Sequence, residues 1–228
     1  MIYTIDKRYA SRVERSDRVL EIAEAFGLGL DDREFVVFDN QQIEIEQGDV
    51  VYVTGQSGSG KSTVLRELAA AMQTAGAQVA DIDKVELRDV PLIDQIGRDT
   101  SHALELLSIA GLNDAYLFVR KPAELSDGQR YRFRLAKLIE SGADVWIADE
   151  FLAVLDRTTA KVIAFNLQKI ARRQMATVLV ATTHTDMKAD LAPNLIIEKR
   201  YREKIHMVRV PDGYREAELQ NNAEGLPQ

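Results

Sequence analysis

The chain of 228 residues contains no cysteine. That absence excludes disulfide staples, zinc–thiolate centres and thiol nucleophiles, and it fits a reducing compartment. Long apolar runs are missing too. Stretches such as Ala176 to Thr182 have the length of a strand, far short of the ~20 residues that span a bilayer as a helix. The first residues, Met1-Ile2-Tyr3-Thr4-Ile5-Asp6-Lys7-Arg8, lack the apolar core of a secretory leader. A cytoplasmic protein is therefore expected, with any membrane role running through a partner. Net positive charge is also absent. The formal charge is −7 and the pI about 5.1, which disfavours nucleic acid as a partner except through a local basic patch. No repeat, low-complexity tract or linker divides the chain, so a single domain is expected over residues 1–210, followed by a polar tail over 211–228.

What is present is an alternation of strand and helix patterns. Arg18 to Phe26 has apolar residues at helical spacing and stops at Gly27. Phe35 to Phe38 and Ile43 to Glu46 predict two paired strands turning at Asp39-Asn40. Val50 to Val53 predicts a buried strand, and Thr63 to Ala75 a helix closed by Gly76. Gln78 to Val90 mixes strand-like pieces with acidic residues. Thr100 to Ala110 is helical, and a second short helix precedes Lys121-Pro122. Ser126 to Ser141 is a helix ending at Gly142. Two buried strands, Ala143 to Ala148 and Ala176 to Thr182, flank a helix over Thr158 to Arg173. A hairpin of Leu195 to Lys199 with Lys204 to Val210 closes the pattern. Strands alternating with helices predict an α/β fold with a mainly parallel sheet.

One loop carries specific chemistry. Gly55-Gln56-Ser57-Gly58-Ser59-Gly60-Lys61-Ser62 fits G-x-x-x-x-G-K-[ST] between a predicted strand and a predicted helix. The glycines let successive N–H groups turn inward as an anion nest at a helix N-terminus. In that arrangement Lys61 meets the β- and γ-phosphates, Ser62 ligates Mg²⁺, and Thr63 reaches the α-phosphate. A second element, Asp149-Glu150, ends the apolar run Val145-Trp146-Ile147-Ala148. Strand ends of a parallel sheet converge on one edge, so both carboxylates are expected to face the phosphate loop. Asp149 suits the metal-associated aspartate and Glu150 the general base for an attacking water. Trp146 is expected in the core.

The third element is Leu125-Ser126-Asp127-Gly128-Gln129. Ser126 and Gln129 form a capping box that opens the following helix, and a capped helix N-terminus also suits an incoming phosphate. Together these pieces resemble the nucleotide-binding domain of ABC ATPases, over roughly Phe35 to Met207. The resemblance implies a P-loop NTPase core with a small antiparallel β subdomain and a short helical subdomain at about 96–140. It implies ATP and Mg²⁺ as ligands, and an ATP-dependent head-to-tail homodimer. There Ser126, Gly128 and Gln129 contact the γ-phosphate bound by the other copy. By the same resemblance Gln95 senses Mg²⁺ and the attacking water, His184 contacts the γ-phosphate, and Asp156 couples the two sites. An unidentified protein partner completes the picture.

The chain also departs from that pattern. Asp127 stands where glycine is usual and is expected to weaken ATP-driven closure through its negative charge. Phe151 stands where proline is usual, so the turn after Glu150 is expected to differ. Phe35 is a candidate for stacking on adenine. Residues 96–125 are too few for the larger helical subdomain of transporter subunits or for the long coiled coil of chromosome-maintenance ATPases. The wording PLIDQIG, AGLNDA, ELSDGQRYRFRLAK and VATTHTD looks most like soluble ABC-type ATPases that occur fused to predicted acetyltransferase domains. Basic residues gather in two places. Arg130, Arg132, Arg134 and Lys137 are expected on a solvated helix face, and Lys199, Arg200, Arg202 and Lys204 near the terminal hairpin, where an acidic partner could meet them. Two other readings stay open: the energising subunit of a membrane transporter, and a nucleotide-gated binding module with little turnover.

Overall fold

The computed structural model describes residues 1–31, 33–183, 185–201 and 203–210. Six strands form the central sheet in the order β4-β5-β6-β3-β7-β8. These are β3 (Val50–Thr54), β4 (Val79–Asp81), β5 (Val145–Ala148), β6 (Thr177–Thr182), β7 (Leu195–Glu198) and β8 (His206–Arg209). The first five in that order are parallel, and β8 closes the edge antiparallel to β7. A separate two-stranded antiparallel sheet pairs β1 (Ile2–Ser11) with β2 (Arg33–Glu44). The fold is thus the expected α/β class, with a mainly parallel sheet and a small antiparallel one.

The central strands read as unbroken apolar runs because both faces of the sheet are covered. Side chains alternate between two cores. Val50, Tyr52, Trp146, Ala148, Val178 and Val180 face one, and Val51, Val53, Val145, Ile147, Leu179 and Ala181 face the other. Helix α2 (Lys61–Thr74) fills the second core with Val64, Leu65, Leu68 and Met72. The first core is covered by α3 (Thr100–Ile109), α5 (Asp127–Glu140) and α6 (Arg157–Gln174). Short helices α4 (Ala115–Phe118) and α7 (Lys188–Leu191) fill connections. Helix α1 (Asp17–Phe26) lies between β1 and β2, starts on a Ser16 cap and ends at left-handed Gly27, as its sequence predicts.

Two expectations are corrected here. Phe35 to Phe38 and Ile43 to Glu46 do not form a hairpin. Residues 35–38 and 43–44 belong to one strand, β2, whose partner is the N-terminal β1, and Ile45 and Glu46 lie just past its end. Asn40 adopts a left-handed φ of 45°, a conformation its short polar side chain tolerates. It sits where three steps along β2, Phe38 to Gln41, face two along β1. The turn chemistry at Asp39-Asn40 is therefore spent on a β-bulge.

The basic residues of α5 are likewise not a solvated face. Arg132 Nη1 donates to Gly111 O at 2.7 Å, Lys137 Nζ to Gln95 O at 2.6 Å, and Arg130 Nη2 to Leu125 O at 3.0 Å. These cations satisfy carbonyls in the irregular connections before α5, where no ladder supplies a donor. Near the terminal hairpin Lys199 is buried, with Nζ bonded to Arg200 O at 2.7 Å and Glu203 O at 2.6 Å. Arg200 pairs with Glu198, and Arg202 lies outside the described residues.

Candidate active site

The carboxyl ends of β3 and β5 assemble the site. β3 leads directly into the phosphate loop, where Gly55, Gly58 and Gly60 have φ of 146°, 73° and 102°. Space adds to conformation at Gly55, since a Cβ there would lie 2.0 Å from Lys199 O. α2 begins at Lys61 with no side-chain cap, which leaves its positive end to the loop. Lys61 Nζ folds back onto the loop and donates to Gly55 O at 3.0 Å and Gln56 O at 2.9 Å. Burial lowers the pKa of this amine, while Asp149 and Glu150 oppose the shift. The parallel pairing of β3 and β5 with β6 sets the phosphate loop and the acidic pair at one edge of the sheet. Ser59 is 5% exposed, and its Oγ has no hydrogen-bond partner among the described residues.

The turn after β5 is strained and firmly held. Glu150 and Leu152 have φ of 46° and 59°, left-handed values that side chains other than glycine rarely adopt. Asp149 Oδ1 accepts from Glu150 N at 3.0 Å. Phe151 N donates to Ala181 O at 2.8 Å, and Leu152 N to the Tyr131 hydroxyl at 3.1 Å. Burial pushes the Tyr131 phenol well above its ordinary pKa, which keeps it neutral in this role. Phe151 has a physical reason to replace proline. Its N–H ties the turn to the end of β6, a bond proline lacks the hydrogen to make, and its ring is fully buried.

Ser62 and Asp149 offer a hydroxyl and a carboxylate, the hard oxygen donors that Mg²⁺ takes. Among the described residues no three His, Cys, Asp or Glu side chains are arranged around one ion. Mg²⁺ keeps several waters and binds through one or two protein oxygens plus phosphate.

The Ser126 segment is a finished helix start. Ser126 Oγ accepts from Gln129 N at 3.3 Å, and Gln129 Oε1 accepts from Ser126 N at 3.0 Å. Asp127 is 86% exposed on its side chain and pairs with Arg130 at 3.2 Å, so its charge is partly answered within the helix. A Cβ on Gly128 would meet Leu155 Cδ2 at 3.1 Å and Val154 O at 3.5 Å. The glycine therefore lets α5 approach the loop that leads to Asp156. Asp156 caps α6, accepting from Thr159 N at 3.0 Å.

The structure thus brings Lys61 to the same sheet edge as Asp149 and Glu150, with Ser62 and Thr63 in the same helix turn. It does not bring Gln95 to them. Gln95 is 5% exposed. Its Oε1 accepts from Arg88 N at 3.0 Å, and its Nε2 donates to Arg88 O at 3.2 Å and Val90 O at 2.8 Å. The amide is consumed in closing the turn at 88–90. His184 lies outside the described residues, as does the side chain of Phe35.

Sequence reasoning missed the cavity of about 520 Å³ above the phosphate loop. Gly58, Ser59, Gly60 and Thr63 form its floor, with Tyr9, Val36 and Phe38 on one side and Tyr201 and Lys204 on the other. The period-2 pattern Tyr3, Ile5, Lys7, Tyr9 was the available signal for β1 and hence for Tyr9.

A family model described as ABC transporter matches residues 38–95. The chain is 31% identical over 189 residues to the aliphatic sulfonates import ATP-binding protein SsuB 1 of Rhodococcus jostii, covering 75% of this chain and 76% of that protein. It is 26% identical over 203 residues to the methionine import ATP-binding protein MetN 1 of Oenococcus oeni, spanning 57% of that relative's length. In fold it is similar to the ATP-binding cassette MJ0796 in a dimeric post-hydrolysis state bound to ADP and Pi. That match has a TM-score of 0.65 and 18% identity, and covers 92% of this chain and 100% of that one. With 31% identity over three quarters of both chains to the sulfonates import ATP-binding protein, the chain belongs to the ABC transporter ATPase family.

Proposed function

We propose that the chain binds Mg²⁺–ATP and hydrolyses it in composite sites formed by two copies arranged head to tail. The observation that carries this reading is the parallel sheet itself, in which β3 and β5 both pair with β6, so the phosphate loop after β3 and the acidic pair after β5 leave the same edge. The phosphate loop and Lys61 hold the triphosphate, and Ser62 and Asp149 hold Mg²⁺, which supplies charge neutralisation at the β- and γ-phosphates. Glu150 takes the proton of the attacking water. Tyr9 and Tyr201 flank the base and sugar in the cavity above the loop. Ser126, Gly128 and Gln129 of one copy meet the γ-phosphate in the other, where His184 also contacts it, and Asp156 couples the two sites. Residues 1–210 act as one ATPase unit with its helical part near 96–140, in the cytoplasm.

Changing Glu150→Gln tests this. Nucleotide binding is expected to persist, while phosphate release falls on the order of 10²–10⁴-fold and an ATP-bound dimer accumulates in light scattering. A monomer with and without ATP sinks the composite site. A second reading, the energising subunit of a membrane importer, is favoured by the relatives' names. Among the described residues no helix is long and apolar enough to cross a membrane, so that reading needs a separate membrane protein. Recovery of such a protein from detergent with the Glu150→Gln variant decides between them. The likeness to soluble acetyltransferase-fused ATPases rests on local wording alone.

A further inference from the structure

The turn that carries Glu150 is held from outside by the end of a strand and by one tyrosine. Glu150 and Leu152 are left-handed, with φ of 46° and 59°, and residues with side chains stay in that region only where surrounding structure enforces it. Within the turn, Ala153 N donates to Glu150 O at 3.0 Å and Leu155 N to Leu152 O at 3.1 Å. The two N–H groups just after Glu150 reach other elements instead. Phe151 N is tied to Ala181 O in β6 at 2.8 Å, and Leu152 N to the Tyr131 hydroxyl of α5 at 3.1 Å. Phe151 and Leu152 are both fully buried, so bulk water does not stand in for a lost partner. Tyr131 lies on the same face of α5 as Gly128, three residues earlier. Gly128 sits against Val154 and Leu155, so one helix face covers the segment from 152 to 155.

We infer that Tyr131 is a positioning residue for hydrolysis, its hydroxyl fixing the backbone that aims Glu150 at the attacking water. The side chain suits the task. Its oxygen accepts from a backbone N–H, and its ring packs against the core around α5, so the acceptor sits on a stem locked by packing. A phenylalanine there fills the same space and offers Leu152 N nothing. An unpaired buried N–H favours any rearrangement that pairs it, and the nearest one relaxes the left-handed residues, Glu150 among them. General-base catalysis depends on hydrogen-bond reach to the water, so a relaxed turn slows the chemical step. Helix α5 also starts with the residues proposed to meet the partner copy's γ-phosphate. The base serving one nucleotide is thus braced by the helix that reads the other.

This inference rests on the reading of Glu150 as the base of ATP hydrolysis, and the test separates the two. Phosphate release at saturating Mg²⁺–ATP is measured for the full chain, Tyr131→Phe, Glu150→Gln and the double variant. Equilibrium dialysis with a non-hydrolysable ATP analogue counts the chains competent to bind. Tyr131→Phe is expected to bind the analogue with unchanged stoichiometry and affinity. Its phosphate release per competent chain should fall on the order of 10–10²-fold, the scale of a small misplacement. Because Tyr131 acts through Glu150, the double variant should be no slower than Glu150→Gln alone. Release at the parent's rate in Tyr131→Phe overturns the inference, as do two losses that multiply in the double variant. Binding and release that fall in step mark a purely structural tyrosine and overturn it too. All three outcomes leave the ATPase reading standing so long as Glu150→Gln stops turnover. If Glu150→Gln releases phosphate at the parent's rate, that reading fails, and the inference with it.

Discussion

The phosphate-loop edge and the Ser126 helix are the two halves of the proposed composite site, and they are built on opposite principles. At the phosphate edge the chain holds unusual conformations and unmet groups. Glu150 and Leu152 are left-handed, three glycines have positive φ, and the Ser59 hydroxyl has no partner among the described residues. Lys61 turns to its own loop carbonyls. The Ser126 helix shows the reverse. Its cap is reciprocal, Asp127 is paired, and its arginines are tied to carbonyls of neighbouring connections. Strain of about 1–3 kcal/mol per residue persists only where surrounding structure enforces it, and here it gathers where the nucleotide is expected. The helix half is a finished surface, suited to docking as it stands.

The largest way to break this contrast is Gly55→Ala. The methyl would meet Lys199 O at 2.0 Å, at a φ of 146° that alanine avoids. The loop has to move, so ATP binding by dialysis is expected to vanish even where circular dichroism shows a folded chain. Retained binding would show that the loop is not the cradle. Gly128→Ala sharpens the comparison from the other side. Its methyl meets the tip of Leu155 at 3.1 Å and touches Val154 O at an ordinary 3.5 Å, without a positive φ. Stability in urea should stay within about 1 kcal/mol of the parent, yet ATP-driven dimerisation should weaken because the methyl stands on the docking surface. A normal dimer with normal turnover counts against the role of Gly128.

The smallest effect concerns pH. Hydrogen bonds from the Thr159 hydroxyl, then from its backbone N–H, hold the Asp156 carboxyl below its usual range. A depressed carboxyl contributes stability above its unfolded pKa and loses it as pH falls through the folded value. Melting temperature should therefore drop on acidification below about pH 4. Asp156→Asn keeps a good cap and should flatten part of that drop; an unaltered profile would assign it to other carboxylates.

Much of the site was legible because its motifs are local. The phosphate loop, the acidic pair at a strand end and the Ser126–Gln129 cap each lie within a few residues, and each appears in the structure as the spacing implies. What escaped was long-range. β2 looked like a hairpin because Asp39-Asn40 carries turn chemistry, and only its pairing with β1 turns that chemistry into a bulge. Tyr9 lines the cavity above the phosphate loop through the same pairing. Gln95 was placed by order along the chain, and only the turn at 88–90 that its amide closes shows where the side chain is spent. The α5 arginines look solvated in a list of charges and prove internal only when the carbonyls they serve come into view.

Trp146 gives this arrangement a built-in optical reporter. It is the one tryptophan in the chain, fully buried on β5 three residues before Asp149, and its indole N–H has no partner among the described residues. Such an indole emits at short wavelength while the core between the sheet and α5 and α6 stays closed, and shifts to the red when water enters. Intrinsic fluorescence of the unlabelled protein therefore reads the integrity of the strand that leads into the proposed catalytic carboxylates.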